Sequence, residues 1–553
     1  MKTNKSLIMT LLLAAASAFS QPTLRDIRSA AGNLPPSLPG YGIARGSLIS
    51  IAGTIASDPQ TAGFPLQTSL NGVSIKIAVG GQEVDAFPVS ISASRILALV
   101  PSQTPTGAGK VRVTDASGTT TLDVTIVERN FGIFAQKALA DAAGAAYALN
   151  LTNSASSLNS LTQPAMPGQQ IAILGSGAGV TTQDETNAVG AESLTGDFQL
   201  FIGGKLAKII STGRSGVGID GLNLPAGLSG IDWIQAEVPA GVGGCRISVV
   251  AVTDSARTSN FATISVSPDG ATCSDPGFLS SNDINALPAT GSYSVGAISM
   301  SRLTISLASP LGNIDLNTDT AAVSFQRMDV SDYRSSAGGS YISIGSCFVT
   351  YATQDGSNLD NIPVPTLLDA GAAITLKGPK GSAVLVRNPT GDYASVSAIG
   401  SSSPFFPSQG TPFADAGVFT ADNGSGGVDV QGFTANLNNP IPFTWTNADA
   451  ITSVQRPQGV GVTWTGGASD ANVIIGGFSS NDKVNALFLC YEKASAGKFQ
   501  VPAAVTLAMP VSGGDGQGGL LVLSSTYSRF SAPGLDQGVF ASSGGSLKTL
   551  NFK

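Results

Sequence analysis

Apolar and polar residues alternate along most of this chain in short runs that close on glycine or on Asn, Asp and Ser. In "GCRISVVAVT", Ile247, Val249 and Ala251 fall on one face while Ser248 and Val250 fall on the other. Such a period of two predicts β-strands, since successive side chains of an extended chain point to opposite sides. The stretch "GVSIKIAVGGQEVDAF" at 72–87 adds a hairpin signal, two alternating runs around a Gly-Gly turn. The pattern predicts an all-β protein.

The strands recur. "ARGSLISIAGTIAS" at 44–57 parallels "MPGQQIAILGSGAG" at 166–179, and the 72–87 hairpin parallels "DFQLFIGGKLAKII" at 197–210. "RILALVP" at 95–101 answers "WIQAEVP" at 233–239, and "GKVRVTDASGTTTLDVTIVE" at 109–128 answers "GCRISVVAVTDSARTSNFATISV" at 244–266. Four matches in one order define an internal repeat of roughly 120 residues, a whole module and not a solenoid unit. Each copy reads as about seven short strands, the count of an immunoglobulin-like sandwich.

The repeat also decides how to read "GQQIAILGSGAGV" at 168–180, an apolar strand entering a glycine turn as in a dinucleotide-binding fold. That fingerprint needs a third glycine where Val180 or Thr182 stands, a following amphipathic helix that "VTTQDETNAVG" does not offer, and an acid closing the next strand, whereas Asp197 opens one. The equivalent turn in the first copy has only Gly53. These are turn glycines.

The order "GYGIARGSLISIAGT…GVSIKIAVGG…ILALVPS…NFGIFA…PAMPGQQIAILGSGAGV…IGGKLAKI…WIQAEVP", over about residues 38–268, resembles the tandem Ig-like, IPT/TIG-related modules of uncharacterised secreted proteins of soil bacteria. Leu97 and Gln235 depart from that family's usual "INAQVP"-like strand. The resemblance implies an exported β-sandwich scaffold of unknown ligand, and it brings no catalytic residues with it. The β-rich region that follows is similar to those that accompany such modules.

After the polar segment "SPDGATCSDPG" at 267–277 the repeat stops, but strands continue through "SYISIGSCFVTYA", "PFTWTN", "GVGVTWTGG" and "ALFLCYE". The reading is therefore a signal peptide at 1–20, an extended segment at 21–37, Ig-like sandwiches at 38–136 and 137–268, and a larger antiparallel β-sandwich region at 269–553, one large or two smaller sandwiches. Trp445 and Trp464 stand out in this last part. Buried, they anchor a sheet-to-sheet core; exposed, they form a platform for sugar rings.

Composition narrows the chemistry. Lys2 and Lys5 followed by an apolar run from Leu7 to Phe19 form a secretory signal with its cut expected after Ser20. Both lysines leave with it and no acid does, so the charge of −7 becomes −9. An acidic chain with 12% charged residues lacks the basic surface that nucleic acid requires. No later run is long enough to cross a bilayer as a helix. Histidine is absent, which removes His-dependent triads and histidine-ligated zinc.

The four cysteines, Cys245, Cys273, Cys347 and Cys490, allow three pairings; Cys245–Cys273 and Cys347–Cys490 are expected because the first pair brackets one module's end and the second lies beyond it. The acidic loops "TQDGSNLDN" at 353–361 and "TADNGSGGVD" at 420–429 place Asp and Asn near glycine without completing a twelve-residue calcium loop. "SAGK" at 495–498 has S-x-x-K spacing but sits in a turn without its companion motifs.

The expectation is a non-enzymatic, secreted or cell-surface scaffold or adhesion protein with no cofactor and no metal, whose partner is a polysaccharide or a cell-surface protein. The alternative is a carbohydrate-binding protein or a histidine-free glycosidase in the C-terminal region, which would need two carboxylates about 5–9 Å apart.

Overall fold

The computed structural model describes residues 22–136, 144–153, 155–214, 224–275, 279–307, 314–335, 342–353, 365–401, 409–439 and 442–553. The expected signal peptide and cleavage point, and most of the 353–361 loop, lie outside them. Within them the protein is all-β, with short helices such as Ser281–Ala286 and Ala503–Ala508 at the junctions.

The first sandwich is built from β1 (Thr23–Ser29), β2 (Leu48–Thr54), β3 (Val73–Val79), β4 (Gln82–Ser92), β5 (Arg95–Leu99), β6 (Gly107–Asp115) and β7 (Gly118–Val127). One sheet runs β1–β2–β5–β4 and the other β4–β3–β6–β7. First, second, fifth and fourth strands against third, sixth and seventh is the order of an immunoglobulin sandwich. β4 serves both sheets: Gln82 to Ala86 pair with β3, and from Phe87 on the strand pairs with β5, with an irregularity between Pro88 and Ser90. Val73, Ile75, Ile77 and Val79 all point into the core, as the period of two requires.

The second copy repeats this plan in β8 (Ala148–Leu151), β9 (Gln170–Ser176), β10 (Phe198–Ile202), β11 (Lys208–Arg214), β12 (Asp232–Glu237), β13 (Gly244–Thr253) and β14 (Ala262–Val266). Its sheets run β8–β9–β12–β11 and β10–β13–β14. The strand that changes sheets is here cut in two: Lys205–Leu206 pairs with β10, and β11 with β12. Both hairpin turns keep paired positive φ values, 58° and 85° at Gly80 and Gly81, 58° and 70° at Gly203 and Gly204. Only primed turns match the twist of a two-residue hairpin.

The C-terminal region is organised around one long sheet. Its main order is Cys347–Thr353, Val484–Lys493, Asn472–Ser480, Gly518–Phe530, Gln537–Thr549, Ser292–Leu307, Ile314–Asp329. Neighbours are antiparallel except Ser292–Leu307 and Gln537–Thr549, which run parallel over their length. Two smaller sheets cover one face of it side by side. A three-stranded sheet of Phe443–Trp445, Val460–Gly466 and Lys498–Val501 packs over Val473, Ile475, Phe488 and Val522. A four-stranded sheet, Gly381–Val386, Ala373–Gly378, Gly417–Asp422 and Thr434–Asn439, packs over Ile298, Val323, Phe325 and Phe540. One back sheet thus carries two cores.

Among the described residues each module packs against the unit that follows it. Leu48, Leu97 and Leu99 of the first module pack against Phe134, Tyr147, Leu174 and Ile231 of the second, to which Phe134 belongs and not to the first module as expected, because Gly132 and Ile133 pair with β9. The Leu48 amide donates to Ser176 Oγ at 2.9 Å and Asn130 Nδ2 to the Gly42 carbonyl at 2.7 Å. At the next junction all ten residues of β13 are buried. Its inner face fills the module core, as the alternation requires, while the outer face is covered by the C-terminal region. There Ser248 N donates to Ser346 Oγ, the Arg246 amide to Ser343 Oγ, and Val250 and Val252 share a cluster with Val349 and Val505. The polar segment after the repeat is held too: the Asp275 carboxylate accepts from the Cys245 amide and from Ser343 Oγ.

Candidate functional site

The glycine turn at 175–179 holds an anion, but an internal one. β9 lies between antiparallel neighbours, with no helix after it. The amides of Gly177 and Ala178 donate to one oxygen of Asp232, at 2.9 and 2.8 Å, and Arg214 Nε donates to the other at 2.9 Å. Both charged side chains are fully buried. Burial pushes the Asp232 carboxyl up, opposed by Arg214 and the two amides. The glycines also admit a neighbour. A Cβ on Gly175 would stand 2.1 Å from the Gly132 carbonyl, and one on Gly177, where φ is +99°, 2.3 Å from the Asn130 carbonyl. Turn chemistry therefore explains only part of this glycine cluster; close backbone approach by the inter-module segment explains the rest.

Trp445 and Trp464 are directly opposed across two strands and both face the long sheet, 6% and 3% exposed. Their indole N–H groups are engaged by Asn447 Oδ1 and the Ala494 carbonyl, each at 2.9 Å. The platform reading is thereby corrected: rings that share a face with Val460 and Val462 cannot reach a polymer in solvent. Both expected disulfides are present, Cys245–Cys273 and Cys347–Cys490. In the 420–429 loop, Asp422 accepts from the Gly424 amide and Thr434 Oγ1, and Asp429 from the Asp369 amide. Among the described residues no group of three His, Cys, Asp or Glu is placed to hold a metal ion, and no helix is long and apolar enough to cross a membrane. Ser495 and Ala496 of "SAGK" lie in a 3-10 turn ended by left-handed Gly497, and Lys498 opens the next strand.

A polar construction lies where the two smaller sheets part. The registers align Ser524, Gly544, Arg302 and Asp319 in one row across four strands of the long sheet. The next row holds Thr526 and Ser542, the row before it Ser546 and Thr304. This hydroxyl-rich seam separates the two apolar cores and floors a cavity of about 150 Å³ walled by Phe443 and Asn439. At its edge Arg302 donates to both oxygens of Asp319, at 2.7 Å each, and to Asp415 at 2.6 Å, while Lys380 pairs with Asp415 at 2.7 Å. Burial works to raise the Asp319 carboxyl, but Arg302 and the amides of Phe413 and Ala414 hold it below the usual range. Lys380 and Arg302 do the same for Asp415. A glycosidase acid must keep its proton near neutral pH, the opposite condition.

A pH effect follows. Both carboxyls are depressed in the folded state, so their contribution is complete above the unfolded value of about 4 and disappears as pH falls through the folded values. The urea midpoint is expected to stay level from pH 7 to about pH 5 and to fall below about pH 4, with a shallower fall in Asp319→Asn.

No family model matches this chain, and no curated protein does. Among solved structures it is similar to the Bacteroides ovatus mixed-linkage glucan utilisation locus protein SGBP-B in complex with a mixed-linkage heptasaccharide, at 11% identity, 66% coverage of each chain and a TM-score of 0.18. The chain thus spans just under two thirds of that protein's length. It is also similar to the I9–I11 tandem of titin, at 8% identity, 72% and 94% coverage and 0.12, and to the ICAM-5 D1–D4 fragment, at 11%, 96% and 100%, and 0.11. At these TM-scores the likenesses carry no argument about ligand or activity.

Proposed function

We propose that the protein is an exported, non-enzymatic binding scaffold of the cell surface or its surroundings, built from two IPT/TIG-like modules and a ligand-bearing C-terminal region. The observation that carries this reading is the pair of continuous junctions: apolar contacts and buried hydrogen bonds fix both boundaries, so the units present their loops and faces in one fixed geometry. Binding residues on loops and sheet faces gain most from such a frame, because less ordering remains to be done at the moment of contact. Two disulfides fit an oxidising compartment. The ionised state of Asp319 and Asp415 speaks against glycoside hydrolysis at the hydroxyl-rich seam.

Expression of the full chain in a bacterial host tests the reading. Recovery outside the cytoplasm, with the N-terminus at Gln21 by mass spectrometry and all four cysteines resistant to alkylation, is expected. Cytoplasmic retention with reactive thiols would contradict it.

A further inference from the structure

A larger cavity, of about 370 Å³, opens where the second module meets the C-terminal region. Its walls come from β13 and β14, from residues 159–162, and from the short helices Ser281–Ala286 and Val330–Ser335. Sites for small ligands occupy about 300–1,000 Å³, so the space is large enough for one. Thr162 and Ser331 line it and are solvent-exposed, which gives a ligand a way in.

Charge sets this cavity apart. Arg246 and Arg334 line it and no Asp or Glu does, in a chain with 36 acidic residues against 29 basic ones. At the hydroxyl-rich seam, by contrast, Arg302 and Lys380 are matched by Asp319 and Asp415. Asp332, two residues before Arg334, and Asp275, which accepts from the Cys245 amide, stay outside the lining.

Backbone carbonyls hold both guanidiniums in place. Arg246 is 5% exposed. Its Nη2 donates to the Tyr333 carbonyl at 2.8 Å, and its guanidinium carbon stands 5.7 Å from the centre of the Tyr333 ring. Arg334 Nη2 donates to the carbonyls of Leu287 and Pro288, at 3.2 and 3.1 Å, and Arg334 makes no ion pair among the described residues. A carbonyl fixes a guanidinium without cancelling its charge, and Nη1 of Arg334 keeps its two donors for a ligand. Planar forks of this kind match the oxygens of a carboxylate or a phosphate.

We propose that this cavity binds the oxyanion of one small organic acid, a carboxylate or phosphate on a body of about one sugar unit, between Arg334 and Arg246. The proposal rests on the fixed second junction of the scaffold reading and names a ligand class for it.

The test is calorimetric titration of the full mature chain with glucuronate, galacturonate and a glucose phosphate, with glucose and the methyl ester of glucuronate as neutral counterparts. Wild type is expected to bind at least one anion about tenfold or more tightly than its neutral counterpart. Preference between the uronates and the phosphate then distinguishes the two oxyanions. Arg334→Met, which removes the charge, is expected to weaken binding about tenfold or more with an unchanged circular dichroism spectrum. Thr162→Glu, which puts a carboxylate into the lining from an exposed position, is expected to weaken it severalfold with an unchanged melting point. Binding of none at millimolar concentration, equal binding of the neutral counterparts, or equal binding by wild type and a folded Arg334→Met would each overturn the assignment. A misfolded Arg334→Met transfers the decision to Thr162→Glu, whose equal binding would overturn it as well. Export and the oxidised state of the cysteines do not depend on the cavity, so failure here is separable from failure of the scaffold reading.

Discussion

Asp232→Ala lowers the stability of the second module by about 3–5 kcal/mol, the expected cost of breaking a buried ion pair from one side. The variant leaves the Arg214 guanidinium fully buried without its carboxylate and removes the acceptor of two backbone amides at the turn. A double variant, Arg214→Met with Asp232→Leu, is expected to lose less than the single one, because no unpaired charge remains. Calorimetric unfolding measures both, and hydrogen exchange locates the loss in β9 and β12. A single variant within 1 kcal/mol of wild type would show that the Gly179 carbonyl, which accepts from Arg214 Nη2 at 2.7 Å, suffices to hold the guanidinium.

Cys347→Ala with Cys490→Ala costs up to about 5 kcal/mol on the chain-entropy model, and Cys245→Ala with Cys273→Ala up to about 3.5 kcal/mol. The difference comes from the loops, with sequence separations of 143 and 28 residues. Cys347 and Cys490 are register partners on adjacent strands, and the loop they close contains the whole four-stranded sheet, while Ile298, Val323, Phe325 and Phe540 beneath it lie outside that loop. Trp445 and Trp464 lie in the same cluster as this disulfide, so denaturant unfolding followed by tryptophan emission reports its removal. A larger loss from the shorter loop would contradict the ordering.

What the sequence revealed follows from which contacts are local. Alternation and Gly-Gly hairpins specify strands from neighbouring residues, so both modules and their order were legible, and Ile247, Val249 and Ala251 do face a core. The burial of Ser248 and Val250 on the opposite face was not, because their cover comes from residues about a hundred positions away. The Arg214–Asp232 pair was hidden for a related reason: an acid at the start of "DWIQAEVP" looks like a turn residue until the strands pair. The polar seam needed most. Ser524, Gly544, Arg302 and Asp319 become a row only through three registers, one of them parallel. A signal was nonetheless present, since the inward positions of Gly518–Phe530 change from Leu520 and Val522 to Ser524 and Thr526 in mid-strand.

The fixed geometry of the three units is the claim on which the functional reading depends. Small-angle X-ray scattering of the mature chain tests it most directly. The protein is expected to scatter as one conformation, with a curve that the single arrangement of both modules against the long sheet reproduces at low and high salt. A curve that requires a mixture of inter-module orientations would contradict it.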